Sequence, residues 1–283
     1  MGSDNWQWDE TLFAGAAPYY VRGRLPYAAG LVDALRDALA LDGAGRLIDV
    51  GCGPGTIALR LAHLFTEVVG IDPDADMLAE AGREAAIAGT TNARWVKMRA
   101  EELPGDLGTF RVATFSRSFH WMDRERVASI MLRMLEPDAR GAFVQVTDAP
   151  DGEPEADRAS FSHPLMPLDG MRALVRKYLG PDRRAGQGIR NSTPDGETIV
   201  LERVGFDPPQ TLRVKGPQLL ERRTDDIVAL VFSGSDAAPH LFGARQEAFE
   251  EELRSLLAHT SPSGQFTQRV PDTEIRIWRT PAH

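Results

Sequence analysis

The stretch Leu47-Ile48-Asp49-Val50-Gly51-Cys52-Gly53-Pro54-Gly55-Thr56 constrains the fold more than any other part of the chain. An apolar run of strand length stops at glycines on alternate positions, and a helical stripe of Ile57, Leu61 and Leu64 follows. Strand, glycine turn and helix in this order open a βαβ unit. Glycine has no Cβ, so a ligand can approach the backbone closely at such a turn.

The alternation continues on both sides. Leu31, Leu35 and Leu39 share a helix face before the strand at 46–50. A second strand is expected at 67–71, followed by a helix that Asp72-Pro73 opens and that carries Met77, Ala81 and Ala85. Strands are expected at 94–98, 111–116 and 142–147, with Asp123 capping a helix whose Val127, Ile130, Met131 and Met134 face inward. Helix-strand alternation of this kind calls for a largely parallel sheet. Further on, a helix at 198–204 ends at Gly205, a strand covers 211–215, helices cover 225–232 and 241–257, and a last strand covers 274–278.

Between 148 and 195 the pattern loosens around Pro150, Pro154, Pro164, Pro167, Pro181 and Pro194. One helix there presents Met171, Leu174, Val175 and Tyr178 on one side. The segment is read as a lid over the sheet, with Met171 and Tyr178 in the acceptor pocket; surface decoration is the alternative. The organisation expected is an N-terminal cap segment with the first helix (1–45), a cofactor-binding core (46–147), the lid (148–195) and the completion of the sheet with C-terminal helices (196–283).

A net charge of −9 disfavours a nucleic-acid partner, since polyanions are held by clustered Lys and Arg. A single cysteine, Cys52, excludes an internal disulfide and a cysteine-built metal site, and the scattered histidines form no His-x-x-x-His pair. No metal is expected. No apolar run approaches the roughly 18 to 20 residues of a membrane span, and the polar, acidic first ten residues are unlike a secretory signal. A cytoplasmic protein without a membrane partner is the expectation.

The glycine spacing separates two nucleotide chemistries. Dinucleotide-binding enzymes use Gly-x-Gly-x-x-Gly, whereas here the spacing is Gly-x-Gly-x-Gly, with Thr56 in the last position of that fingerprint. About 20 residues on, at the end of the second strand, Asp72 can accept both hydrogen bonds of a ribose diol or cap the following helix.

Asp49-Val50-Gly51-Cys52-Gly53-Pro54-Gly55 resembles the first motif of class I S-adenosylmethionine-dependent methyltransferases. The resemblance implies that Gly51, Gly53 and Gly55 wrap the methionine portion and ribose of the cofactor, with Asp49 near its amino group and Asp72 on its ribose. Pro73 and Met77 are carried along as cofactor neighbours. Arg99-Ala100-Glu101-Glu102-Leu103-Pro104 resembles the stretch after the third strand that meets the adenine. Arg99 stands where the family often has Asp, so the contact falls to the Ala100 backbone and to Glu101, itself also readable as a structural or capping carboxylate.

Phe13 and the run Tyr19-Tyr20-x-x-Gly23-Arg24-x-Pro26-Tyr27 resemble the entry segment of small-molecule methyltransferases of the ubiquinone-biosynthesis and trans-aconitate types. There Tyr20 and Arg24 would close over the cofactor, Arg24 as a fork on its carboxylate or as a plain surface arginine. Ligands of open α/β sheets lie beyond the carboxyl ends of the strands, so 115–121 border the cofactor's methyl group. Ser116 is assigned to the cofactor, Phe13, Phe119 and Trp121 to the acceptor, and His120 to catalysis as a base or orienter, against a packing role for Phe119-His120-Trp121.

The implied fold is a three-layer α/β sandwich around a mostly parallel seven-stranded sheet whose last strand is antiparallel. The implied reaction moves a methyl group from S-adenosylmethionine to an O, N or C nucleophile of a small molecule, such as a biosynthetic natural-product intermediate, in a monomer or homodimer. The alternatives are a member of the fold that binds cofactor or partner without turnover, and an NAD-dependent oxidoreductase.

Overall fold

A computed structural model of the chain describes residues 9–149, 161–182, 184–185, 188–189, 196–216 and 219–282. Pro150, Pro154 and Pro194 of the expected lid lie outside the described residues. The first half contains α1 (Ala17–Gly23), α2 (Leu31–Leu39), β1 (Arg46–Val50), α3 (Thr56–Leu61), β2 (Glu67–Asp72), α4 (Ala75–Ala88), β3 (Ala93–Lys97), β4 (Val112–Ser116), α5 (Arg124–Met134) and β5 (Ala142–Asp148). The second half contains α6 (Leu168–Leu179), two short strands β6 (Arg184–Ala185) and β7 (Gly188–Ile189), α7 (Glu197–Val204), β8 (Gln210–Val214), β9 (Leu219–Arg223), α8 (Thr224–Phe232), α9 (Gln246–Thr260), β10 (Gln265–Arg269) and β11 (Thr273–Arg279).

Seven strands form one sheet in the order β3-β2-β1-β4-β5-β11-β8. The first five pair in parallel and β11 runs antiparallel to both β5 and β8, as expected of the last strand. The period of two along each strand divides the core. Leu47, Val68, Val112 and Val144 turn to one face with Leu31, Leu35 and Leu39 of α2 and Ile57 and Leu61 of α3. Ile48, Val69, Ala113 and Phe143 turn to the other, against Val127 and Met131 of α5 and Leu201 of α7. Strands covered on both faces read as nearly continuous apolar runs, which is why these were visible in the sequence.

A second apolar cluster joins α6, α8 and α9. Met171 and Leu179 of α6 are buried there with Phe232, Phe249 and Phe266. Helix α1 packs on α8 so closely that a Cβ on Gly23 would lie 2.3 Å from the Ala229 carbonyl oxygen.

Three local expectations change. Asp74, not Asp72, caps α4, its Oδ1 accepting from the amides of Asp76 and Met77. The helix expected at 241–257 starts only at Gln246, because Gly243 at φ +53° breaks the preceding turns. Strands β9 and β10 pair antiparallel in a separate two-stranded sheet with no counterpart in the expectations. Their segments, LLERR and QFTQR, are too polar to stand out by periodicity.

Candidate active site

The turn after β1 is held from β2. The amides of Gly51 and Cys52 both donate to the Ile71 carbonyl, at 2.9 and 3.0 Å. Gly51 and Gly53 sit at φ +68° and +52°, where side chains are costly. A Cβ on Gly51 would lie 2.7 Å from Cβ of Ser118, whereas one on Gly53 would meet nothing within 4 Å. The turn is therefore packed on one side and open on the other. Gly55 is a packing residue: its Cβ would lie 2.7 Å from the Trp95 ring.

Asp72 closes β2 beside that open side. Its Oδ2 accepts from the Gly53 amide at 2.8 Å and its Oδ1 from the Asp74 amide at 2.9 Å. Burial pushes its carboxyl up to about 6, against the pull of those two amides. Asp49 is fully enclosed behind the turn, where Oδ1 accepts from the Thr114 hydroxyl at 2.7 Å and Oδ2 has no hydrogen-bond partner among the described residues. Desolvation raises it to about 7, with the charge of Asp72 adding to the shift.

A cleft runs across the carboxyl ends of β3, β2, β1 and β4. It brings together Phe13, Tyr20, Gly51, Gly53, Asp72, Pro73, Met77, Ala100, Glu101, Ser116 and Trp121, all singled out from the sequence. The Phe13 ring meets Tyr20 and Trp121 edge-on, each with centroids 6.2 Å apart, forming an aromatic wall. Glu101 is buried in the cleft wall. Its Oε1 accepts from the Asp123 amide at 2.9 Å and its Oε2 lies 3.6 Å from Arg99, so the capping role is realised at the cleft wall itself. Leu12, Met98, Arg99 and Met122 also line the cleft and were missed as ligand contacts, and so do Arg117 and Ser118, which lie in the stretch 115–121 but were given no role of their own. Arg117 and Ser118 follow Ser116 directly, and proximity to that strand end was their signal.

The remaining candidates lie elsewhere. Arg24 reaches the end of α8, donating to the Ser233 carbonyl at 2.5 Å while stacked 4.9 Å over Tyr20. A cation at a helix C-terminus is favoured by the helix dipole, and that draws it away from the cleft. Phe119 is enclosed between Phe115 and Phe143. His120 is exposed on the turn Phe119–Trp121, its ring 4.5 Å from that of Trp121 and outside the cleft wall. Met171 and Tyr178 belong to the α6–α9 cluster, Tyr178 donating from its hydroxyl to Glu252 at 2.9 Å. Their stripe marked a packing face, for which the same amphipathic pattern serves.

The residues fit an adenosyl cofactor. A carboxylate offers about four acceptor positions, and the two amides on Asp72 leave room for a ribose diol. The space over Gly53 admits a ligand against backbone, and Met77 and Met98 supply apolar flanks. No group of metal-binding side chains occurs among the described residues, and no helix among them is long and apolar enough to cross a membrane.

Sheet order, glycine turn and acidic second-strand end together define a nucleoside-cofactor protein of the Rossmann-like class. Residues 47–138 match the methyltransferase domain family. An uncharacterized methyltransferase of Mycobacterium bovis is 28% identical over 187 residues, covering 60% of this chain and 72% of that protein. An S-adenosyl-L-methionine-dependent Diels-Alderase of Talaromyces variabilis is 26% identical over 230 residues, covering 79% and 71%. An uncharacterized RNA methyltransferase of Thermosynechococcus vestitus is 35% identical over 145 residues, covering 50% of this chain and 28% of that protein. The crystal structure of YcgJ from Bacillus subtilis shares the fold, with a TM-score of 0.52 at 17% identity over 89% of this chain and 98% of that one. Residues 47–138 thus form a methyltransferase domain, and such a domain implies S-adenosylmethionine as donor and S-adenosylhomocysteine as product.

Proposed function

We propose that this methyltransferase acts on an O, N or C nucleophile of a small, largely apolar molecule bound against Phe13, Tyr20 and Trp121. The aromatic wall of the cleft carries this reading. S-adenosylmethionine supplies an electrophilic methyl group. Asp72 would hold the ribose hydroxyls, Ala100 and Glu101 the adenine, and Gly51 and Gly53 the amino-acid end. Asp49, buried at the end of β1, ties that strand to Thr114 of β4. No histidine lines the cleft among the described residues, so holding the acceptor in near-attack geometry is the main contribution of the chain; such positioning is worth about 7 to 11 kcal/mol.

A natural-product intermediate suits the aromatic wall, and a net charge of −9 disfavours a polynucleotide acceptor. The test is a thermal shift with S-adenosylhomocysteine against NAD, followed by transfer of labelled methyl to panels of small molecules and of RNA. At about 100 times its dissociation constant the product should stabilise by about 2.7 kcal/mol. A shift with NAD alone, or label only in RNA, overturns the proposal.

A further inference from the structure

The cleft has two cationic side chains among its described lining residues, Arg99 and Arg117, which follow the outer two of the four strands whose ends it spans. Arg99 follows β3 and lies 3.6 Å from the Glu101 carboxylate. Arg117 follows β4, next to Ser118, whose Cβ is the atom a side chain at Gly51 would strike. Between them, in sheet order, come Asp72 at the end of β2 and the glycine turn at the end of β1. Adjacent strands are about 4.8 Å apart, so Arg117 stands about 10 Å from Asp72 along the sheet edge. An adenosyl cofactor whose ribose is held at Asp72, as proposed above, extends its amino-acid end over β1 toward β4.

Arg117 is built into that position. It adopts φ +53°, its amide donates to the Val146 carbonyl at 3.2 Å, and its guanidinium lies 4.5 Å over the Tyr27 ring. Nη2 is ion-paired with Asp148, while Nε is buried with no hydrogen-bond partner among the described residues. A guanidinium carries five N–H donors and takes a carboxylate through two of them, so the Asp148 contact leaves donors over. Tyr27 and Asp148 fix the plane of the group, which lowers the ordering cost of using it. Arg24, to which the family resemblance carries this task, donates to the Ser233 carbonyl and, although its Nε too has no hydrogen-bond partner among the described residues, it is not among the residues that line the cleft. We infer that Arg117, in place of Arg24, binds the α-carboxylate of the cofactor's amino-acid end.

The experiment compares two ligands by titration calorimetry. S-adenosylhomocysteine carries the amino-acid end; 5′-methylthioadenosine has the same adenosine and thioether without it. Arg117→Gln should weaken S-adenosylhomocysteine about ten- to a hundredfold, the usual cost of a hydrogen bond to a charged group, and leave methylthioadenosine within about twofold. Arg117→Lys keeps the charge without the fork and should fall between. Retained methylthioadenosine binding proves the variant folded. Equal loss of both ligands, no loss of either, or an Arg24→Gln variant that alone shows the selective loss overturns the inference. A wild-type protein that binds neither ligand removes the proposed function together with it.

Discussion

The backbone amide of Gly53 donates to Oδ2 of Asp72 at 2.8 Å, so one carboxylate ties the turn after β1 to the end of β2. Asp72 is thus part of the cradle before any ligand arrives, and Asp74 takes over the capping of α4. Asp72→Asn keeps the size of the side chain but loses its charge and half its acceptor capacity. Affinity for S-adenosylhomocysteine should fall about ten- to a hundredfold in titration calorimetry, and the melting temperature should fall as well, because the Asn side chain cannot accept from both the Gly53 and Asp74 amides. A variant that melts lower and binds as before assigns Asp72 to structure alone.

The raised carboxyls set a pH dependence. Asp49, at about 7, and Asp72, at about 6, bind protons more tightly folded than unfolded, where 3.8 is ordinary. Their contribution to stability is complete below about 4 and is lost as pH rises through 6 to 7. Asp49→Asn should flatten the fall in melting temperature between pH 4 and 7, read as a difference from wild type. Product binding needs the Asp72 carboxylate and should run the other way, weakening toward tenfold per pH unit below about 6.

Two glycines of the turn separate fold from ligand. Gly51→Ala places a Cβ 2.7 Å from Ser118 and should lower stability by more than the roughly 1 to 2 kcal/mol of a left-handed residue. Gly53→Ala meets no protein atom within 4 Å, so its stability loss should stay near that figure while cofactor binding is lost. Melting curves and calorimetry on the pair distinguish the two effects; equal stability losses would count against a turn open on one side.

His120 lies outside the cleft wall, and its substitution should show that. With any acceptor that turns over, His120→Gln should change kcat by only a few fold, against the roughly 10²- to 10⁴-fold expected for loss of a base. Trp121→Ala, in the aromatic wall, should raise the acceptor KM. A large kcat loss in His120→Gln with cofactor affinity intact would return the histidine to the chemistry.

Met171 is buried between α6 and the α8–α9 pair. Met171→Ala should cost about 2 to 5 kcal/mol in denaturant unfolding, with product affinity unchanged. Weakened acceptor binding at unchanged stability would place α6 at the acceptor instead.

The sheet was legible in the sequence because its strands are covered on both faces. Val68 and Val69, or Leu47 and Ile48, must both be apolar when helices lie on either side. The glycine turn was equally legible: only glycine takes φ +68° at Gly51 without strain while its amide reaches the Ile71 carbonyl. Eleven of the residues expected at the site meet in one cleft, since strand ends carry their neighbours with them. Polar strands such as β9 gave no such signal.

Tertiary structure alone decided which chemically equivalent residues reach the cleft. Arg24 and Arg117 are the same side chain, yet the end of α8 draws one away while β4 delivers the other. Asp72 and Asp74 could both begin a helix, and the hydrogen bond from Gly53 allots the first to the cleft. The stripe of Met171 and Tyr178 reads alike as pocket or core until α9 is packed against it. Local pattern specifies backbone conformation and burial, both short-range properties. The direction a long side chain takes depends on partners more than 200 residues away, such as Ser233 for Arg24, which no local pattern encodes.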